Sequence, residues 1–449
     1  MVVFVFIVFV LVISVLIVSV VPVILIVLVI LIVFVLFVIH NFTSDTRIVF
    51  VVCQKLFIQD KVEKEKIFVK VIVMLLIENG ILHTMEDRNP FKGDILIKNG
   101  KIVEVSQNIT QTENMRRLDA DGMNVFPGFI DAHSHLGICE EKATVPGDVS
   151  NEGTNPVTPY IRGIDAVNPM DSAFHNALAV GITGVMVGPG SANPIGGQFA
   201  FIKTYGRSID EMIVKAPAAI KIAFGENPMT NYGNCGNAPS TRMSIASFIR
   251  EELFNARKYF DGNNEEDFCM ECYRDLFERK IPLKAHVHRA DDILTAIRIA
   301  KEFDLNLTLD HCTEGHLIAE KIAESGFPAI VGPSLASRNK KEVSQSDFKT
   351  PGVLKKAGVT VALTTDHPVS RIQYLPVCAA FAAKEGLGGE DAIRAITIDA
   401  AKICGVDEQL GSLKEGKDAD IVIYKGNPLD IFSSVYATVI DGKVVWPQE

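Results

Sequence analysis

Short apolar runs and amphipathic stretches alternate many times along the middle of the chain. Examples of the runs are G-I-T-G-V-M-V, A-A-I-K-I-A-F and L-N-L-T-L-D-H, whereas D-D-I-L-T-A-I-R-I-A-K-E-F has helical periodicity. Repeated alternation of strand and helix predicts a parallel sheet. Residues 128–410 suffice for a closed (β/α)₈ barrel of the TIM type, which typically takes about 250 residues. A doubly wound open sheet is the alternative.

A different pattern flanks this region on both sides. From 74 to 127, short apolar runs alternate with turn signals, as in D-I-L-I-K-N-G-K-I-V-E-V, where Asn-Gly separates two strand-like pieces. Residues 411–449 have the same character and end in a hairpin signal at Asp-Gly. We expect the two segments to form one small β-sandwich domain beside the barrel.

The N-terminal segment has a composition of its own. Residues 1–39 are almost wholly Val, Ile, Leu and Phe, and a helix needs about 20 such residues to span a bilayer, so the segment is interpreted as a membrane anchor. Residues 40–73 would be a linker, and their Lys and Arg residues place the body in the cytoplasm by the positive-inside rule. The alternative is a spurious low-complexity extension upstream of Met74.

Charge and cysteine usage narrow the class of protein. The formal net charge is −10 and the body has no long basic runs, so we expect no nucleic-acid partner. The eight cysteines are spread without framework spacing, which favours reduced thiols and a reducing compartment.

Ligand-type residues end four of the apolar runs, and functional residues of parallel barrels gather at the carboxyl ends of the strands. The first run, N-V-F-P-G-F-I-D-A-H-S-H, ends in His133 and His135, which lie on one side of a strand because side chains alternate with period two. Two imidazoles on one face can bind one metal ion. The later runs end in His286 and His288, in His311, and in Asp366 and His367.

The segment P-G-F-I-D-A-H-S-H, a histidine after each of two later strands, and T-T-D-H-P resemble the amidohydrolase superfamily from about Met74 onward. The closing G-S-L-K-E-G-K-D-A-D-I-V-I-Y resembles that superfamily's return into its β-sandwich, and the whole is most similar to a branch near imidazolonepropionases and metal-dependent prolidases. The resemblance implies hydrolysis of a carbon–nitrogen bond by metal-activated water, with one or two divalent ions, zinc first. It assigns the metal ligands His133 and His135 to the first strand, His286 to the fifth, His311 to the sixth and Asp366, also the general acid and base, to the eighth.

The fourth-strand ligand has two candidates, because the family uses a carboxylated lysine, a glutamate or neither. Glu226 is preferred, since it follows an apolar run and would lie at the barrel mouth. Lys221 lies in mid-strand and would need a carbon dioxide adduct to become an anionic ligand.

Two further side chains are candidates for contact with a substrate. His288 shares the face of His286 and could be a ligand, a substrate contact or a group that orients an imidazole. The Gly-rich segment G-P-G-S-A-N-P-I-G-G-Q follows the third candidate strand and should overhang the barrel mouth, where Gln198 would offer an amide to the substrate. The alternative for this segment is a flexible loop without a binding role.

A non-catalytic scaffold is the rival interpretation, because some barrels of this superfamily have lost their ligands. Retention of the whole ligand set favours an enzyme, since burying these polar groups together without a metal would carry a desolvation cost. We therefore expect a small-molecule substrate and a homo-oligomer.

Overall fold

The computed structural model describes residues 74–110, 115–141, 148–262 and 265–447. The segments predicted as an anchor, 1–39, and as a linker, 40–73, lie outside the described residues. Within the described ranges, no helix combines the length and the apolar character needed to cross a lipid bilayer.

Strands from both ends of the described chain form one connected sheet. They are β1 (Met74–Leu82), β2 (Phe91–Lys98), β3 (Lys101–Ser106), β4 (Arg116–Asp119), β5 (Asn124–Pro127), β14 (Ile421–Lys425), β15 (Ser434–Ile440) and β16 (Lys443–Trp446). Their order is β16-β15-β14-β5-β1-β2-β3, with β4 also paired to β1. The partner of β1 changes from β4 to β5 at a bulge between Ile77 and Gly80, so the expected sandwich is a single branched sheet.

A second sheet of eight strands carries the middle of the chain. Its strands are β6 (Phe129–Ser134), β7 (Ile182–Val187), β8 (Ile195–Lys203), β9 (Ile213–Ala223), β10 (Leu283–Val287), β11 (Leu307–His311), β12 (Ala329–Val331) and β13 (Val361–Leu363). Each strand pairs with its neighbour in sequence, in the order β6 to β13. A doubly wound sheet has a point where the strand order reverses, so this order favours the barrel over that alternative.

The sheet curls into a nearly closed barrel. Between β13 and β6, the segment 395–396 fills the gap, because Leu363 N–H donates to Ala395 O at 3.1 Å and Ile130 N–H donates to Ile396 O at 2.7 Å. Nearer the carboxyl ends of the strands, His135 N–H donates to His367 O at 2.9 Å. The first and last strands therefore meet where the candidate ligands lie.

The expectation of eight parallel strands is wrong for β8, which runs antiparallel to both β7 and β9. Parallel neighbours need a crossover of about a dozen residues or more. Only the short Gly-rich segment 188–194 joins β7 to β8, so the chain reverses direction there. This segment consequently follows the second barrel strand, not the third.

Helices pack against the outside of the barrel. In the helix 290–303, the buried residues Ile293, Ala296, Ile297 and Ala300 recur at helical spacing, which gives one apolar face toward the strands. The helices are α1 (Ser172–Leu178), α2 (Ile209–Met212), α3 (Glu226–Gly233), α4 (Arg242–Asp261), α5 (Phe268–Glu271), α6 (Arg274–Phe277), α7 (Ala290–Phe303), α8 (Ala319–Ser325), α9 (Thr350–Lys356), α10 (Leu375–Ala382), α11 (Gly389–Arg394) and α12 (Ile398–Cys404).

Candidate metal centre

Asp131 ties β6 to the segment that follows β13. Its Oδ2 accepts hydrogen bonds from the backbone N–H of Thr365 at 3.0 Å and from the Thr365 hydroxyl at 2.6 Å, and its Oδ1 accepts from His133 N–H at 3.2 Å. Burial raises the pKa of Asp131 to about 6. Because Asp366 is the next residue after Thr365, this contact fixes its carboxylate beside the histidines of β6.

The first group of residues that could bind a metal ion, called the first ligand group below, consists of His133, His135 and Asp366. Asp366 Oδ1 lies 3.4 Å from His133 Nε2 and 3.3 Å from His135 Nε2. The Nδ1 of His135 is hydrogen-bonded to the carbonyl of Gly188 at 2.7 Å, so its Nε2 is free to face Asp366. The structure therefore brings the first-strand and eighth-strand residues together.

The second ligand group consists of His286, His288 and His311. The ring centroids of His286 and His311 lie 4.4 Å apart, and those of His286 and His288 lie 4.6 Å apart. The two groups adjoin, because the His311 ring also lies 5.0 Å from the His133 ring. Five imidazoles and one carboxylate thus converge within the described part of the chain.

These donors fit a divalent transition metal. The Nε2 atoms of His286 and His311 are buried and have no hydrogen-bond partner among the described residues. Burial lowers the pKa of His286 and His288 well below the usual range, and burial followed by the Lys221 charge lowers that of His133 to about 3. Neutral imidazoles with free lone pairs are the form that binds a metal.

Two of these candidate ligands have a backbone conformation that L-residues adopt at a cost of order 1–3 kcal/mol. The φ angles of His311 and Asp366 are 70° and 51°. Local hydrogen bonds hold both residues in place: His311 Nδ1 donates to Gly332 O at 2.7 Å, and Asp366 N–H donates to Thr364 Oγ1 at 2.9 Å. The left-handed turns direct both side chains into the cluster, a feature typical of functional sites.

A buried carboxylate that the sequence did not reveal, Asp310, supports the first group. Its Oδ2 accepts from His133 Nδ1 at 2.9 Å, and its Oδ1 accepts from Lys284 Nζ at 3.2 Å and from the Thr308 hydroxyl at 3.1 Å. Burial opposes ionisation, yet the Lys284 ammonium and His133 hold the pKa of Asp310 well below its usual range. The ionised Asp310 orients His133 so that Nε2 faces the cluster.

The two candidates for the fourth-strand ligand lie in different places. Lys221 is fully buried on β9, and its Nζ reaches to 3.4 Å from His133 Nε2. Burial lowers the pKa of Lys221 to about 8. Glu226 instead begins α3, where its backbone N–H donates to Glu342 Oε2 at 2.7 Å, and it belongs to neither ligand group. Gly225, with a φ of 85°, turns the chain away from the cluster before Glu226.

Gln198 does not occupy the expected place over the barrel mouth. It lies within β8, and its Nε2 donates to Pro159 O at 3.2 Å. The Gly-rich segment does reach the cleft, but through Gly190 and Ser191. His367 also points elsewhere, since its Nδ1 accepts a hydrogen bond from Ile372 N–H at 3.2 Å.

The cluster opens into a cleft of about 300 Å³ at the carboxyl ends of the strands. His135, His286, His288, His311 and Asp366 form its floor. The rest of the lining is mixed. Its polar residues carry hydroxyl, amide, carboxylate and ammonium groups and include Ser150, Asn151, Ser191, Asn227, Thr313, Asn339, Lys340, Asp148 and Asp347, and its apolar residues include Val331, Val343, Pro368 and Val369. A volume near the low end for ligand pockets, with such a lining, suits a small molecule that carries polar groups.

The sequence profile of the amidohydrolase family matches residues 124–445, most of the described chain. The chain belongs to the amidohydrolase family. Its structure is similar to that of an amidohydrolase from Thermotoga maritima MSB8, with a TM-score of 0.80 and 42% identity, covering 83% of this chain and 100% of that one. These matches confirm the predicted superfamily and an amidohydrolase-type hydrolase.

Two relatives of known name are similar to this amidohydrolase in sequence. It is 26% identical to amidohydrolase tasK of Hapsidospora irregularis over 386 residues, which cover 78% of this chain and 39% of tasK. The chain thus spans well under two thirds of that relative. It is also 26% identical to an imidazolonepropionase of Picrophilus torridus over 395 residues, which cover 78% of this chain and 91% of the relative. The second match supports the branch expected from the sequence.

Replacing the Asp310 carboxylate by an amide should weaken metal binding. In Asp310→Asn the acceptor for His133 Nδ1–H loses its charge, and changes of this kind around metal sites typically reduce metal affinity by about 10–100-fold. Competition against a chelator measures that affinity, and melting of the same samples reports the fold. Asp165→Asn, at an exposed residue paired to Arg162, is the matched control. Wild-type affinity in folded Asp310→Asn would contradict the orienting role.

Proposed function

We propose that this chain hydrolyses a carbon–nitrogen bond of a small polar molecule, using one or two divalent metal ions. The observation that carries the proposal is the convergence of five imidazoles and one carboxylate, with four of the imidazoles and the carboxylate on the floor of a single cleft. The buried Nε2 atoms of His286 and His311 have no hydrogen-bond partner among the described residues. The residues proposed to hold metal are His133, His135, His286, His311 and Asp366. Glu226 is left out because it lies outside the cluster.

Zinc is the first choice of ion, since nitrogen and oxygen donors of this type suit Zn, Fe, Mn and Ni. A metal ion at such donors would act as a Lewis acid. It would lower the pKa of water to about 7 and polarise the scissile bond. The chain's own contribution has two parts. Burial lowers the pKa of His133, His286 and His311, which keeps these imidazoles neutral. Asp310, Gly188 and Gly332 accept hydrogen bonds from Nδ1 of His133, His135 and His311 and orient these rings.

Asp366 is the proposed general base and acid. It lines the cleft, and although burial alone would raise its pKa, the imidazoles of His311, His133 and His135 hold it well below the usual range. Its carboxylate is therefore ionised at neutral pH and can accept a proton from the attacking water. The same carboxylate can then return this proton to the leaving nitrogen.

The scaffold interpretation finds less support. A scaffold does not require a cleft of about 300 Å³ whose floor carries His135, His286, His311 and Asp366. Leaving buried nitrogen atoms such as Nε2 of His286 and His311 without partners costs about 1–3 kcal/mol for each atom. Energetically unfavourable arrangements of this kind cluster at functional sites.

A substrate screen tests the proposal directly. The metal-loaded protein is assayed with N-acyl amino acids, dipeptides, cyclic ureas and amino-substituted heterocycles, and each assay is repeated after treatment with a chelator. We expect turnover of at least one class, its loss on chelation and its return when zinc is restored. Turnover that survives complete removal of metal, or a purified protein that binds no metal, would rule the proposal out.

Asp366→Asn should abolish most turnover while the fold survives. The amide keeps the size and one coordinating oxygen but cannot act as a base, and general acid–base catalysis contributes about 10²–10⁴-fold. Turnover should fall by at least this factor, with metal content reduced less than in His133→Ala. Near-normal turnover in Asp366→Asn would refute proton transfer through this carboxylate.

A further inference from the structure

We infer that Lys340 selects the substrate by binding a carboxylate group of the molecule that is hydrolysed in the cleft. The substrate is then an amide that carries a free carboxylate, such as an N-acyl amino acid or a peptide, in preference to an uncharged amide or heterocycle. The inference rests on the proposed hydrolysis of a carbon–nitrogen bond and narrows the range of compounds which that proposal allows.

Lys340 has a special place in the cleft because of its charge. Among the described residues that line the cleft, it is the only lysine, and none of them is an arginine. It lies on the segment 332–349, which joins β12 to α9. The cleft holds about 300 Å³, so a molecule that fills it contacts both the metal-binding floor and Lys340.

Three segments of the chain hold Lys340 at the wall of the cleft. Its Nζ donates a hydrogen bond to Oδ1 of Asn227 in α3, and Nδ2 of Asn227 donates to Oγ of Ser191 at 2.7 Å. Two residues further on, the buried Glu342 accepts a hydrogen bond from Glu226 N–H at 2.7 Å, which fixes the segment to the beginning of α3. Because Ser191, Asn227 and Lys340 all line the cleft, they form one hydrogen-bonded row along its wall.

The ammonium of Lys340 forms no ion pair with the described residues. Its hydrogen bond goes to a neutral amide oxygen, and an ammonium has three N–H donors, so two donors remain for a ligand. A molecule that enters the cleft displaces water from these donors, and an uncharged molecule replaces that hydration incompletely. A carboxylate replaces it with charge-assisted hydrogen bonds.

The carboxylates of the cleft favour a singly charged group over a phosphate. Asp347 Oδ2 pairs with Lys349 Nζ at 3.1 Å, and Asp148 Oδ1 accepts a hydrogen bond from the Ser150 hydroxyl at 2.7 Å. Together with Asp366, these side chains give the lining three carboxylates against one ammonium. Their repulsion weighs twice as heavily on a dianion as on a carboxylate, which needs one ammonium as its partner.

Paired substrates test the inference. N-acetyl amino acids and dipeptides with small, aliphatic, aromatic and charged side chains are assayed with the metal-loaded protein, each beside its own carboxamide and the phosphonate of the same skeleton. The new amino group reports cleavage in all three. We expect kcat/KM of the best acid to exceed that of its carboxamide by about 10–100-fold, as for a hydrogen bond to a charged group. Added salt should reduce this ratio, because Lys340 is exposed and its charge is screened.

Variants of one position make the result specific. Lys340→Gln keeps hydrogen-bond donors but removes the charge, so it should raise KM of the acid by about 10–100-fold, far more than it lowers kcat, and bring the ratio of acid to carboxamide close to one. Lys340→Arg keeps the charge and should restore the preference for the acid. Lys341→Gln is the matched control, since it removes the same charge from an exposed neighbour that does not line the cleft.

The outcomes separate this inference from the proposed function. Equal turnover of acids and carboxamides by the wild type, an unchanged ratio in Lys340→Gln or an equal loss in Lys341→Gln would overturn the inference and leave hydrolysis standing. Phosphonates cleaved faster than acids would overturn the choice of a carboxylate. Turnover confined to uncharged cyclic ureas or amino-substituted heterocycles would also overturn the inference alone. A metal-loaded protein that cleaves no compound of any class would refute the proposed function, on which the inference depends.

Discussion

The burial of five imidazole rings at one end of a barrel is the constraint on which the rest of the site depends. Burial removes water as a partner for the ring nitrogens, and each nitrogen left unpaired costs about 1–3 kcal/mol. It also lowers the pKa of His133, His286, His288 and His311, so these four rings stay neutral with lone pairs available. A metal ion bound by these lone pairs would satisfy both conditions at once.

Groups on the surrounding strands and loops orient three of the rings by accepting hydrogen bonds from their Nδ1 atoms. His135 and His311 bond to the backbone oxygens of Gly188 and Gly332, whereas His133 bonds to the carboxylate of Asp310. Asp310 in turn accepts a hydrogen bond from Lys284, which is fully buried. The closure of the barrel and the orientation of the ligands are thus parts of one hydrogen-bonded structure.

The sequence predicted the parts of the site that lie at strand ends. His133, His135, His286, His311 and Asp366 end apolar runs, and the structure brings them together as the resemblance implied. It missed Asp310 and Lys284, because polar residues inside a strand look like breaks in an apolar run when only the ends are inspected. Period two is the signal for Lys284, which lies two positions before His286 and therefore on the same inward face. Asp310 directly precedes His311, so its parity relative to the predicted ligand gives no such signal.

The sequence pattern also did not predict the position of the fourth-strand candidates or the direction of β8, because both depend on tertiary structure. Lys221 was the second candidate for the fourth-strand ligand, and its long side chain reaches the cluster from mid-strand. The preferred Glu226 lies outside the cluster, after the left-handed Gly225. The reversal of β8 depends on the length of the connection before it, which apolar periodicity does not report. Neither the reach of a side chain nor the direction of a strand can be read from the order of apolar and polar residues.

The central claim is that the cluster is a metal centre, and anomalous X-ray diffraction at the zinc absorption edge tests it most directly. Crystals of zinc-loaded protein should give one or two anomalous peaks among these side chains. One peak should lie about 2.0–2.2 Å from the nitrogens of His133 and His135 and an oxygen of Asp366, and a second ion would lie about 2.0–2.1 Å from the nitrogens of His286 and His311. An absence of anomalous density among these side chains, with zinc only at the protein surface, would contradict the account.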